Sequence, residues 1–198
     1  MSLRVETLKG EALRAALDDV ARLRITVFRA WPYLYDGSLD YEREYLQVYK
    51  DSDKTVLVGA FDGDRLVGAA TGTPMTDHAE DFASAFDGSG YDLADIFYCA
   101  ESVLLPDYRG QGAGHRFFDL REQHARSLGA RYTAFCSVQR PGDHPMRPAD
   151  YAPLDPFWRK RGYAPLEGVI AHFSWKDVGE AEETKKPLQF WLRDLTVE

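Results

Sequence analysis

The residues best suited to chemistry lie together in the run Ser102-Val103-Leu104-Leu105-Pro106-Asp107-Tyr108-Arg109-Gly110-Gln111-Gly112-Ala113-Gly114-His115. The pattern predicts a strand, a glycine-rich turn and the start of a helix. In such a turn successive backbone N–H groups converge at a helix N-terminus, where partial positive charge attracts phosphate. The glycines let a ligand come close to the backbone. Two phosphate loops are excluded by spacing. A Walker A loop needs Gly-Lys-Ser/Thr, and His115-Arg116 supplies neither. A dinucleotide fingerprint fails as well, because Gly110 and Gly112 are followed by Gly114 and not by a glycine at 115. Just upstream, Glu101 is the only acid in the apolar run 96–105. In an unbroken strand it shares a face with Phe97, Cys99, Val103 and Leu105, a phase that a β-bulge would alter. The two cysteines, Cys99 and Cys136, sit in apolar strand-like runs without metal-ligand spacing, and His78, His115, His124, His144 and His172 are scattered. No metal site is expected.

These residues need a scaffold, and the hydrophobic pattern outlines one. Residues 3–8 alternate as a first strand. Leu13, Leu17, Val20, Leu23, Val27 and Phe28 then recur at mostly three- and four-residue steps, an amphipathic helix ending near Phe28. Trp31-Pro32-Tyr33-Leu34-Tyr35-Asp36-Gly37 breaks it, and a second helix is expected over 40–48. Residues 55–61 and 65–73 form strands around the hairpin turn Asp62-Gly63-Asp64. Residues 77–95 read as a polar, partly helical insertion, and 96–105 as one long strand. A helix follows over 116–128 with Gly129 after its end, then a strand over 132–138 and a loop over 139–156 that holds five prolines. A short helix over 155–161, a strand over 169–175 and an edge strand over 187–192 complete the chain. No repeat or linker divides its 198 residues, so one domain is expected.

Composition narrows the partners. With 44% hydrophobic and 28% charged residues the chain is of ordinary globular make-up. A net charge of -8 disfavours non-specific nucleic-acid binding and an anionic membrane surface. No run is long and apolar enough to span a membrane, and the N-terminal segment MSLRVETLKG has no secretory pattern; a cytoplasmic location is expected. The charge is uneven. Residues 106–131 and 139–163 each hold five basic residues against three acids, so the remaining chain is more acidic than the total.

The segment Arg109-Gly110-Gln111-Gly112-Ala113-Gly114, with its Pro-x-Tyr-Arg-Gly lead-in, resembles the pyrophosphate loop of the GNAT superfamily of acyl-CoA-dependent N-acetyltransferases. The order of elements is similar over most of the chain, and Phe157-Trp158-Arg159-Lys160-Arg161-Gly162-Tyr163 looks like the family's Phe-Tyr-x-x-x-Gly-Phe segment. The resemblance implies an α/β (α+β) fold: a single domain over 1–198 whose central mixed, mostly antiparallel, twisted sheet is flanked by helices. Residues 77–95 and 139–155 are additions to it that could act as lids or as a homodimer surface.

The resemblance further implies acetyl-CoA as co-substrate, held by Val103, Leu104, Leu105, residues 109–114, His115 and Phe157, with an oxyanion-binding backbone N–H near Leu104. The two basic stretches fall where it places the cofactor. It implies direct attack by a primary amine, of a small molecule or a protein. Such an amine is mostly protonated at neutral pH, with a pKa of about 10.4, so a base is needed. Glu101 is the candidate, its other role being an ion pair with a neighbouring arginine. The family's usual tyrosine acid aligns with Trp158, which cannot give up a proton usefully. That leaves Tyr151 or Tyr163 as acid, or a thiolate that departs unaided. The loop after the first helix would line the acceptor site with Trp31, Tyr33, Tyr35 and Asp36, although these aromatics could equally staple the loop to the core. Two other readings follow from the same residues. Loss of the tyrosine suits a non-catalytic acyl-CoA-binding domain, and an interaction module without CoA is disfavoured by the intact loop.

Overall fold

A computed structural model describes residues 3–197. Its scaffold is built from β1 (Arg4–Leu8), α1 (Gly10–Phe28), α2 (Leu39–Tyr45), α3 (Val48–Asp51), β2 (Val56–Asp62), β3 (Arg65–Pro74) and α4 (Ala79–Phe86). There follow β4 (Ile96–Tyr98), β5 (Ser102–Leu104), α5 (Ala113–Ser127), β6 (Tyr132–Val138), α6 (Asp155–Lys160), β7 (Ala164–Lys176) and β8 (Glu183–Asp194). The strands form one sheet in the order β1-β2-β3-β4-β6-β8-β7, with β5 also on β3. All pairings are antiparallel except β4 with β6.

Strand alternation sorts the core into two faces. Val56, Val58 and Ala60 of β2 point towards Phe117, Phe118 and Ala125 of α5. Leu57 points the other way, into a cluster with Leu13, Leu17, Val20 and Leu23 of α1, Leu46 just before α3 and Tyr49 within it. Each fully buried aliphatic or aromatic side chain contributes about 1.5–3 kcal/mol, so both layers are held by ordinary apolar burial.

Three expectations are corrected. The run 96–105 is two strands, β4 and β5, separated by a bulge. β4 pairs with β3 as Thr73↔Tyr98 and β5 as Ala70↔Ser102. At the junction Ala100 N–H donates to the Thr71 carbonyl while Thr71 N–H donates to the Glu101 carbonyl, so two residues face one. The segment 187–192 belongs to β8, which lies between β6 and β7 and is not an edge strand; the edges are β1 and β7. Residues 77–95 are less polar in effect than their composition suggests. Phe82 and Phe86 of α4 are buried against Phe190 of β8, in a third cluster with Met75 and Tyr98.

Candidate active site

The bulge decides where Glu101 points. Phe97 and Cys99 pack towards α5, whereas Tyr98, Ala100 and Glu101 line a cavity on the opposite face. The expected sharing of a face by Glu101 with Phe97 and Cys99 is therefore overturned, because the extra residue shifts the alternation by one. Arg121 of α5 braces the bulge from behind. Its Nη1 donates to the Thr71 carbonyl at 3.2 Å and the Glu101 carbonyl at 2.9 Å, and its Nη2 donates to Ser102 Oγ at 2.7 Å. The side chain is almost wholly buried, as an arginine with this many acceptors can be.

Glu101 is itself buried and forms one end of a carboxylate–guanidinium–carboxylate chain. Arg24 Nη1 stands 2.7 Å from Glu101 Oε2, and Arg24 Nε bonds Glu42 Oε2. Tyr45 hydroxyl donates to Glu101 Oε2 at 3.4 Å, and Tyr35 hydroxyl to Glu42 Oε1 at 2.8 Å. Burial works against the Arg24 charge, but Glu101, Tyr45 and Glu42 outweigh it and hold the guanidinium protonated well above its ordinary range. Burial and the Glu101 charge likewise keep the Tyr45 phenol protonated. Both of these contacts fall on Glu101 Oε2. Oε1 is buried without a hydrogen-bond partner. The sequence-level alternative of an arginine partner is thus realised, and one carboxylate oxygen remains uncommitted.

The cavity measures about 880 Å³ and lies between α1 and α2 on one side and α4 on the other. Tyr33, Tyr35 and Asp36 of the α1–α2 loop line it. This loop is pinned by Arg140, which donates to the Pro32 and Tyr33 carbonyls and pairs with both oxygens of Asp177. Leu34 within it has φ +53°, a left-handed strain of about 1–2 kcal/mol. Trp31 and Tyr151 are not among the lining residues. They pack edge to face at 6.0 Å, and the His144 ring lies 5.0 Å from that of Trp31. Burial and Asp155 push the Tyr151 phenol up, with Arg147 opposing. Trp158 is half-buried between Phe135 and Trp191. Tyr163 is fully buried, its hydroxyl bonded to Thr133 and Glu122, and does not line the cavity.

A second feature adjoins the cavity floor. Past Tyr98↔Ala134 and the Cys99 N–H to Ala134 bond, β5 stays with β3 while β6 stays with β8, so a gap opens between β5 and β6. Leu105 N–H bonds Val67 and the Glu101 carbonyl bonds Thr71, so odd-numbered residues face β3 and the Leu104 N–H faces the gap. This narrows the expectation for Val103, Leu104 and Leu105. Val103 is a fully buried core residue with its backbone on β3, and Leu104 alone of the three offers its amide. Arg109 folds back to donate Nε and Nη2 to the Leu104 carbonyl, both at 3.2 Å.

The loop ends at the N-terminus of α5. Gly110 and Gly112 have φ of +77° and +85°, where any other residue is strained. The first intrahelical bond runs from Arg116 N–H to the Gly112 carbonyl, which leaves the amides of Ala113, Gly114 and His115 for a ligand. Phe157 closes the site, its ring 4.8 Å from that of His115 and 3.4 Å from where a Cβ on Gly114 would lie. Gln111 reaches back to the Asp107 carbonyl. A cradle of amides beside an open strand gap fits the pyrophosphate and extended arm of coenzyme A.

The two basic stretches serve this site less than expected. Arg121 is buried in the bulge, Arg131 pairs with Asp194, and Arg140 with Asp177. Arg161 pairs with Asp119 and Glu122. Among the described residues no cluster of His, Cys, Asp or Glu is grouped to hold a metal, and no helix is long and apolar enough to cross a membrane.

A family model for the acetyltransferase (GNAT) family matches residues 20–149, more than half of the chain and inclusive of the bulge and the glycine loop. The chain belongs to this family. Acetyl transfer is thus the class of reaction the acetyltransferase site is built for. Phe157 and Trp158 lie beyond the matched residues. Comparison with curated proteins gives no match in sequence. Solved structures share the fold over nearly the whole of both chains. YncA of Salmonella typhimurium, solved with its cofactor acetyl-CoA, is 12% identical with a TM-score of 0.61, covering 100% of this chain and 96% of its own. The ribosomal-protein-alanine N-acetyltransferase of Brucella melitensis is 12% identical with a TM-score of 0.62, over 96% and 99%. PaiA N-acetyltransferase of Thermoplasma acidophilum, in complex with coenzyme A, is 13% identical with a TM-score of 0.55, over 98% and 99%.

Proposed function

We propose that this acetyltransferase moves the acetyl group of acetyl-CoA to a primary amine by direct attack, with Glu101 as the proton acceptor. The observation that carries this reading is the uncommitted Oε1 of Glu101, a residue that lines the cavity of about 880 Å³, next to the gap into which the Leu104 amide points. Acetyl-CoA supplies the acyl thioester. Glu101 takes a proton from the substrate ammonium, the freed nitrogen forms a bond to the thioester carbon, the carbon–sulfur bond breaks to leave a thiolate, and the nitrogen's second proton passes to that thiolate or to water, leaving a neutral amide. The Leu104 N–H is placed to stabilise the carbonyl oxygen as it gains charge, an interaction typically contributing about 2.7–4 kcal/mol. Cavity geometry supplies orientation, and proton removal of this kind contributes about 10²–10⁴-fold.

The cavity-lining thiol disfavours a cysteine acyl-enzyme route. Burial pushes the Cys136 thiol up to about 12, so it stays protonated at neutral pH. The departing thiolate, with a pKa of about 8.5, can leave unaided; Tyr151, outside the lining residues, is the alternative proton source. Trp158 in place of a tyrosine favours a second reading, an acyl-CoA-binding domain without catalysis. Calorimetric binding of CoA, run beside thiol release from acetyl-CoA over a panel of amines, separates the two. Binding with amine-dependent release is expected. Binding without release on any amine supports the second reading, and absence of binding contradicts both.

A further inference from the structure

The cavity carries information about which amine it accepts. Nine aromatic side chains line it, among them Phe28, Tyr33, Phe82, Tyr98, Phe173 and Trp175. Tyr33 and Trp175 stack at 5.9 Å, and Phe82 meets Tyr98 and Phe173 edge to face. Against this apolar surface the charged lining is four acids (Asp36, Asp81, Glu101, Glu183) and two permanent cations (Arg24, Lys176). Both cations are engaged. Arg24 lies between Glu101 and Glu42, and Lys176 stands 3.0 Å from Asp36. His78 has its Nδ1 3.4 Å from Asp81. Asp81 and Glu183 are exposed.

From this arrangement we infer that the acceptor is a hydrophobic primary amine, with an aromatic or comparably bulky apolar body and no carboxylate. The inference rests on the proposed function and deepens it. The volume of about 880 Å³ far exceeds an ammonium group, and the rings bury a planar body while attracting its positive end. A carboxylate next to the amine would enter the same buried floor, where Glu101 already stands and Arg24 is held between Glu101 and Glu42. No unengaged cation among the described lining residues would receive it, and an unpaired charge in such a place is strongly disfavoured. A free α-amino acid is therefore excluded by the same residues that admit the decarboxylated amine.

The test compares three acceptors that differ at one group: 2-phenylethylamine, phenylalaninamide and phenylalanine, each at pH 8 with saturating acetyl-CoA. Phenylethylamine should have the highest kcat/KM, and phenylalanine at least 100-fold less. The amide should fall between, because it keeps the size of the extra group and loses the charge. Ethanolamine, with a polar body, should fall at least 30-fold below phenylethylamine. In the exposed-rim variant Asp81→Lys/Glu183→Lys the gap between phenylethylamine and phenylalanine should narrow at least fivefold. Phenylalanine within tenfold of phenylethylamine, ethanolamine as the better substrate, or an unchanged gap in the rim variant overturns the inference and leaves the proposed function standing. Acetylation of no amine at all overturns both together.

Discussion

Replacement of Arg24 by methionine is the sharpest test of how the site holds its carboxylates. The Arg24 side chain is 10% exposed, those of Glu101 and Glu42 4% and 0%, so its removal strands two acids in the interior. Loss of one partner from a buried ion pair costs about 3–5 kcal/mol. The guanidinium also sits 4.4 Å from the Tyr45 ring and 5.2 Å from the Phe28 ring, worth about 0.5–1 kcal/mol each. Methionine keeps most of the packing volume, so the loss at pH 7 should be about 3–5 kcal/mol, read from urea unfolding at constant m-value. Adding Glu42→Gln to Arg24→Met removes one stranded charge and should restore about 1–3 kcal/mol. A loss below about 1 kcal/mol, or no recovery in the double variant, would refute the idea that Arg24 is what allows Glu101 to be buried and charged.

Other expectations are independent of that series. Gly112→Ala places a Cβ at φ +85° and should cost about 1–2 kcal/mol, with CoA binding weakened at least tenfold by calorimetry. Arg140→Met removes two hydrogen bonds from the α1–α2 loop and two from Asp177 and should cost about 3 kcal/mol and raise the amine KM. Although burial alone pushes the Asp177 carboxyl up, Arg140 and Lys186 outweigh it and hold it below its ordinary range. A lowered carboxyl stabilises the fold above the unfolded value of about 4 and loses that contribution as pH falls through the folded one. The acid limb of the wild-type stability curve should therefore be steeper than that of Arg140→Met, as followed by thermal melts from pH 6 to 3. Tyr151→Phe should lower kcat less than threefold, since Tyr151 stands against Trp31 and lines no part of the cavity. A larger fall, with unchanged stability, would make it the proton donor.

What the sequence makes legible here follows from how local each feature is. The glycine-rich turn is readable because Gly110 and Gly112 adopt left-handed φ values that few other residue types tolerate. The α1 stripe and the β2–β3 hairpin are readable for the same reason, since 3.6- and 2-residue periods and an Asp-Gly turn act over a few neighbours. The bulge at Ala100 and Glu101 is not, because it exists only in the pairing with Thr71 on a strand about thirty residues away. Placement of β8 inside the sheet is equally non-local: strand order depends on which chains lie alongside, and a run of Leu188, Phe190 and Leu192 reads the same in the middle as at an edge. Arg24 left a trace that could have been followed. It sits four residues after Val20 and three before Val27, on the apolar stripe of α1, and a cation on such a stripe asks for a buried acid. Arg121 stands in the same relation to Phe117 on α5. Glu42 left no such trace, because α2 spans only seven residues and its buried side is set by the partners it meets.

If Glu101 removes the acceptor's proton during acetyl transfer, Glu101→Gln should lose activity in a way that depends on pH, measured against wild type at two pH values. The variant keeps the Arg24–Glu42 pair, so the fold should persist, as thermal melting will show. At pH 7, where an amine with a pKa of about 10.4 is almost wholly protonated, amine-dependent thiol release should be about 10²–10⁴-fold slower than wild type. At pH 10, where much of the amine is already neutral, the two rates should come within tenfold. Equal rates at pH 7, or a deficit of the same size at both pH values in a folded variant, would contradict the assignment.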